Sequence, residues 1–172
     1  SLSYGILEGR NIGNNLTSMM NIDAVNHVVI ISDSEAFVND AVRNLSLMAF
    51  KKYNVALYAP AKIRSFDTID VEDFHKVHLH VSMSYYIDYN DTKVKEFLHT
   101  YRALYNTEPS PYAFQGYDTA TYFINACAQH GDNWADSLST ITTSGLQTNF
   151  KFQQTPNGGY INQGVRRIIY EE

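Results

Sequence analysis

The sequence predicts an α/β fold: a parallel sheet flanked by helices, followed by a C-terminal pair of β-strands. Three observations carry this. Residues 28–31 and 55–58 are short, nearly continuous apolar runs, which read as buried strands. Val77, Leu79, Val81 and Met83 alternate with polar residues, the period of a strand with one buried face. Stretches with helical apolar spacing lie between and after these strands, and strands alternating with helices favour a parallel sheet.

The elements follow in order. Residues 6–20 have helical character that Gly9 and Gly13 weaken. Residues 28–31 form the first strand, expected to be covered on both faces. Ser32, Asp33 and Ser34 end it and supply a cap for the next helix, residues 36–53. That helix turns Phe37, Val38, Ala41, Val42, Leu45, Met48 and Ala49 inward. Residues 55–58 form the second strand, ended by Pro60. A loop over 63–68 and a short helix near 71–75 lead to the third strand, residues 77–83. Asp88, Tyr89, Asn90 and Asp91 supply turn formers and an N-cap. Val94, Phe97, Leu98, Tyr101 and Leu104 then recur at helical spacing. Pro109 and Pro111 break that helix. Gln115-Gly116-Tyr117-Asp118 opens the next one, with Tyr117, Ala120, Phe123, Ile124 and Cys127 as its apolar stripe. A short helix over 134–142 stops at Gly145. Residues 149–153 and 165–170 are expected to pair across the turn Pro156-Asn157-Gly158-Gly159.

The bulk numbers narrow the function. A chain of 172 residues suits one α/β unit, and 44% hydrophobic content supports a sizeable core. With 13 Tyr and 9 Phe, much of that core is expected to be aromatic. A net charge of −5 without a basic block argues against nucleic-acid binding. No apolar run reaches membrane-spanning length. Cys127 stands alone, so neither an intrachain disulfide nor a cysteine metal site is expected. No cofactor motif is present: the nucleophile-elbow, phosphate-loop and dinucleotide glycine patterns are all missing. Ser, His and Asp occur, but no spacing nominates a triad, so an enzyme is the weaker hypothesis.

In open parallel sheets, ligands bind outside the carboxyl ends of the strands. Those ends are Ser32, Asp33 and Ser34; Ala59, Pro60 and Ala61; and the Ser84-Tyr85 corner. Ser32 to Ser34 read either as ligand contacts at a helix N-terminus or as a plain cap, and Asp33 would oppose an anion. Tyr85, Tyr86 and Tyr89 suit stacking on a ligand, or packing. His78 and His80, on one strand face near His75, suggest a metal site less readily than a polar sheet face. Asp88, Asn90 and Asp91 resemble part of a calcium loop but lack its glycine and distal glutamate. Asp118 is expected in the first turn of its helix, where the macrodipole favours a carboxylate.

The stretch SYYIDYNDTKVKEFLHTYRALYNTEPSPYAFQGYDTATYFINA resembles the segment after the lobe crossover in type I periplasmic-binding-protein-like proteins. These include branched-chain amino-acid binding proteins and receptor ligand-binding regions. The matching features are Phe97 to Tyr101, Pro109 and Tyr117-Asp118-Thr119-Ala120. NHVVIISDSEAFVNDAVRNL resembles a strand and helix of the second lobe, and FKFQQTPNGGYINQGVRRIIYEE the family's C-terminal paired strands.

The resemblance implies the C-terminal half of a two-lobed protein that closes on a small polar ligand such as an amino acid, without covalent chemistry. On it, residues 1–85 correspond to the second-lobe part, and residues 86–172 to the post-crossover helices and final strands. It also implies a periplasmic or cell-envelope location, with a membrane transporter or a cell-wall component as candidate partner. No leader pattern is visible at Ser1-Leu2-Ser3-Tyr4, so the chain is expected to be a trimmed piece or fragment. A half-cleft exposes apolar surface, which makes self-association an expectation. The alternatives are a cell-envelope structural or signalling domain that keeps the fold without a small ligand, and a self-contained flavodoxin-like domain.

Overall fold

The computed structural model describes residues 11–171. The chain forms two compact units, Ser1–Ser82 with Arg167–Glu172, and Met83–Arg166. The first part of the expected helix over 6–20 lies outside the described residues; its remainder is α1, Ile12–Met19.

The first unit holds a four-stranded sheet in the order β1-β2-β3-β7, made of Val25–Val29, Asn54–Pro60, His80–Met83 and Arg166–Ile169. β1 pairs parallel with β2, and β2 parallel with β3. Helix α2, Glu35–Phe50, links β1 to β2, and α3, Val71–Lys76, precedes β3. The α/β class and the parallel sheet are therefore as the residue pattern predicts. Val38, Ala41, Val42, Leu45 and Met48 of α2 share one core with Ile30, Val55, Leu57, Leu79 and Val81. Ile12 and Leu16 of α1 belong to the same core.

Three expectations fail in this unit, each for a local reason. β1 runs over Val25–Val29 and is not covered on both faces. It is the edge strand, and although Ile30 is buried, Val29 is 66% and Ile31 84% exposed. An apolar run alone does not distinguish a covered strand from one with a bare face. The strand expected over 77–83 begins only at His80, because Val77 and His78 close α3. His78 takes a left-handed conformation (φ 43°). Its N–H bonds the carbonyl of His75, and the Leu79 N–H bonds that of Phe74, a Schellman closure without glycine. Helix α2 likewise stops at Phe50, short of Tyr53. Lys52 is left-handed (φ 74°), its N–H bonds Ala49, and the Tyr53 N–H bonds Met48.

The second unit contains α4 (Thr92–Tyr105), α5 (Pro111–His130), α6 (Trp134–Ser137) and a three-stranded sheet. Its strands are β4 (Thr142–Ser144), β5 (Asn149–Gln154) and β6 (Tyr160–Asn162), antiparallel in that order. Asp91 caps α4 by accepting the Lys93 N–H at 2.7 Å. Helix α5 opens at Pro111, not at Gln115, since proline fits the first helical position, where no N–H is needed. Asp118 therefore sits two turns inside the helix. The buried stripe is Phe114, Asp118, Tyr122 and Ala126, at an i, i+4 spacing. Tyr117, Ile124 and Cys127 are exposed, contrary to the expected stripe, and so is Leu104 on α4.

The helix expected over 134–142 is only Trp134–Ser137, and its final residue is already the start of β4. The last strands also pair differently. β5 pairs with β6 across a tight turn, and β7 joins the first unit's sheet beside β3. Asn162 causes the departure: its side-chain oxygen accepts the Lys151 and Gly164 N–H groups, and its amide donates to the Asn149 carbonyl. The backbones then run so close that a Cβ on Gly164 would lie 1.9 Å from the Asn149 oxygen.

Candidate functional site

The parallel pairing of β1 with β2 sets their carboxyl ends on one edge of the first unit. Ser32, Asp33 and Ser34 follow β1; Ala59 and Pro60 end β2, and Ala61 opens a 3₁₀ turn, Ala61–Ser65. An ion pair joins the two loops, with Lys62 Nζ 2.7 Å from Asp33 Oδ1. The two side chains are 54% and 86% exposed, so water screens the pair and it adds little stability. Ser34 acts as the cap of α2, its Oγ accepting the Phe37 N–H at 3.4 Å. Ser32 Oγ accepts the Ser34 N–H at 3.2 Å. Glu35 ties the start of α2 to Thr68, accepting its backbone N–H at 3.1 Å and its hydroxyl at 2.9 Å.

The edge thus presents the Asp33 carboxylate, the Lys62 ammonium, hydroxyls and the first amides of α2. These groups suit reversible contact with a small zwitterion. Six of the seven sequence-derived candidates come together here. The seventh, Tyr85, is exposed and belongs to the second unit.

His80, His75 and Asp88, also singled out in the sequence, have structural partners. The His80 ring stacks on Tyr58 with centroids 4.7 Å apart, and His27 Nδ1 lies 3.2 Å from the Tyr58 hydroxyl. His75 Nδ1 is 2.6 Å from the Glu171 carbonyl oxygen. With His78 in a turn, the expectation of His78 and His80 side by side on one strand does not hold. Asp88 accepts the Asn90 N–H at 2.9 Å, which makes it a turn residue. Among the described residues, no group of three or more His, Cys, Asp or Glu is placed to hold a metal ion. None of their helices is long and apolar enough to cross a membrane.

Sequence reasoning missed a buried polar assembly that lies wholly in the second unit. The buried Asp118 carboxylate accepts the backbone N–H groups of Leu146, Gln147 and Thr148 at 2.6, 2.9 and 3.0 Å. From the other side, the Arg166 guanidinium donates to the carbonyls of Gln147 and Gly145. The Tyr86 N–H also donates to Gln147 O, at 2.9 Å. The loop is therefore held by its amides on one side and by its carbonyls on the other. In the sequence Asp118 stood out merely as a first-turn carboxylate, and Gly145 merely as a helix stop.

A cavity of about 630 Å³ adjoins this loop, lined by Phe97, Tyr117, Tyr122, Leu146 and Phe150 among others. That volume falls within the usual range for small-molecule pockets. The Tyr122 hydroxyl is buried without a hydrogen-bond partner among the described residues, and burial raises its pKa above the ordinary value.

No protein-family model matches the chain, and no curated protein sequence matches it. Solved structures do resemble its backbone over part of their length. One is a candidate branched-chain amino acid ABC transporter protein from Rhodospirillum rubrum: 15% identity, TM-score 0.42, covering 81% of this chain and 40% of that one. A second is an ABC transporter substrate-binding protein from Desulfitobacterium hafniense in complex with Leu. It shows 15% identity and a TM-score of 0.38, covering 92% of this chain and 62% of that one. A third is an ABC transporter solute-binding protein from R. palustris in complex with benzoate. It shows 12% identity and a TM-score of 0.34, covering 99% of this chain and 50% of that one. The chain spans less than two thirds of the length of each of these proteins it resembles.

Proposed function

We propose that the chain is a non-enzymatic, extracytoplasmic solute-binding unit, the C-terminal half of a two-lobed protein whose ligand is an amino acid or a similar small polar molecule. One observation carries the reading: parallel β1 and β2 deliver Ser32, Asp33, Ser34, Ala59, Pro60 and Ala61 to a single edge, where Asp33 faces Lys62. Asp33 then meets the ligand's ammonium group. Lys62 and the first amides of α2 meet its carboxylate. The residue resemblance described for the sequence supports the same assignment. A membrane transporter is the corresponding partner.

The Asp33–Lys62 pair also supports a second reading, a cell-envelope domain that keeps the fold without a small ligand. Each charge already has a partner, and neither needs a ligand. Sedimentation and calorimetry on the chain address both readings. The half-protein reading expects self-association through exposed apolar side chains, among them Tyr112, Ile124, Leu104 and Val29. It expects amino-acid affinity of about 1 mM or weaker. A clean monomer with micromolar affinity would mean a complete binding module, and the half-protein reading would be dropped.

A further inference from the structure

We infer that Asn157 is a site of spontaneous, non-enzymatic modification, and that the turn around it sets the rate. Asn157 is the one asparagine in the chain followed by glycine. It lies exposed at the tip of the β5–β6 hairpin, and its side-chain amide has no partner among the described residues. Gly158 has no side chain to crowd a ring, and a Cβ built there would meet nothing within 4 Å.

The chemistry needs only water and hydroxide. Hydroxide removes the Gly158 amide proton, and the nitrogen attacks Asn157 Cγ. A new N–Cγ bond forms, the Cγ–Nδ2 bond breaks, and ammonia leaves. Water then opens the five-membered imide. Attack at Cγ gives aspartate at position 157. Attack at the main-chain carbonyl gives isoaspartate, which routes the backbone through the side chain. No oxidation state changes, and either product adds one negative charge.

The fold opposes the first step. The Gly158 N–H donates to the Thr155 carbonyl at 3.0 Å, which aims it away from its own neighbour's side chain. The Thr155 N–H donates to the Gly159 carbonyl at 2.7 Å, and Thr155 Oγ1 accepts the Gly159 N–H at 3.1 Å. Gly158 itself sits at φ 83°, the left-handed position of a hairpin bulge. The attack therefore waits on the opening of the turn, and Thr155 is the residue that holds it shut. Once isoaspartate forms, the longer backbone no longer fits the register that pairs Gln154 with Tyr160.

The test is peptide mapping by mass spectrometry, with isoaspartate detection, on the folded chain held at mildly alkaline pH. The parent is compared with Thr155→Val and Asn157→Gln, each with and without denaturing urea. The expected result is conversion at Asn157 ahead of every other asparagine. Thr155→Val, which deletes the hydroxyl and keeps the shape, should react about fivefold faster when folded, the factor that one lost hydrogen bond supplies. In urea the parent and Thr155→Val should react at the same rate, and Asn157→Gln should give no product at that position. Conversion at Asn157 no faster than at the other asparagines would overturn the site. Equal folded rates for the parent and Thr155→Val would overturn the gate.

Discussion

Gly145 lies against the Asp118 carboxylate so closely that a Cβ on it would sit 2.4 Å from Cγ and 2.5 and 2.6 Å from the two oxygens. Glycine there lets the loop's next three amides reach the carboxylate. Replacing Asp118 with Ala leaves those amides without their acceptor inside the fold. The expected cost is about 3 kcal/mol or more, because hydrogen bonds to charged groups are the stronger kind and buried donors lose solvation too. Gly145→Ala should also destabilise, by pushing the loop off the carboxylate. Denaturant unfolding of both variants checks this, and a midpoint for Asp118→Ala equal to that of the parent would remove the loop from its central place in the second unit.

Tyr122 offers the opposite sign. Its ring stacks on Phe150 with centroids 4.6 Å apart, while its hydroxyl has no hydrogen-bond partner among the described residues. Tyr122→Phe keeps the ring and removes the orphaned group, so it should be neutral or stabilising by up to about 1 kcal/mol. Burial raises the folded pKa above the ordinary 10.0. The unfolded chain therefore releases this proton first. The stability linked to it is fully present below pH 10.0 and falls as pH rises through the raised folded value. The parent should lose more stability than Tyr122→Phe above that pH. Parallel alkaline unfolding curves would contradict this.

Phe97 and Phe114 test the aromatic packing of α4 on α5. Phe97 is half-buried, with ring centroids 4.8 Å from Phe114, 4.9 Å from Tyr117 and 5.7 Å from Tyr101. Phe114 is fully buried. Phe114→Ala should cost about 3–5 kcal/mol, and Phe97→Ala less, about 2 kcal/mol. Phe123, on the apolar stripe that the spacing predicts for α5, turns to other partners: its ring meets Tyr122, Trp134 and Phe152. Thermal shifts for the two alanine variants in the reverse order would show that the half-buried ring carries the contact.

The features legible in the sequence are those set by near neighbours. Val55 and Leu57 mark β2, Val81 and Met83 mark β3, and Asp91 marks the start of α4, because each depends on local period or capping. His78 and Lys52 were illegible as helix closures because residues other than glycine occupy the left-handed position. The role of Asp118 was hidden because its partners lie 28 to 30 residues away. The expected pairing of residues 165–170 with β5 fails because Asn162 and Gly164 redirect the chain through contacts with Asn149 and Lys151 on β5. At the candidate edge, the sequence supplied the loops, but not the Lys62–Asp33 pair that links them.

The most direct test of the solute-binding account is an amide NMR titration of the labelled chain with the standard amino acids, followed residue by residue. The account predicts weak, saturable shifts at Ser32, Asp33, Ser34, Ala59, Ala61 and Lys62, with Asp33→Ala weakening the response about tenfold or more for zwitterionic ligands. Shifts confined to other residues, or none at all up to the solubility of the ligands, would contradict a solute site at this edge.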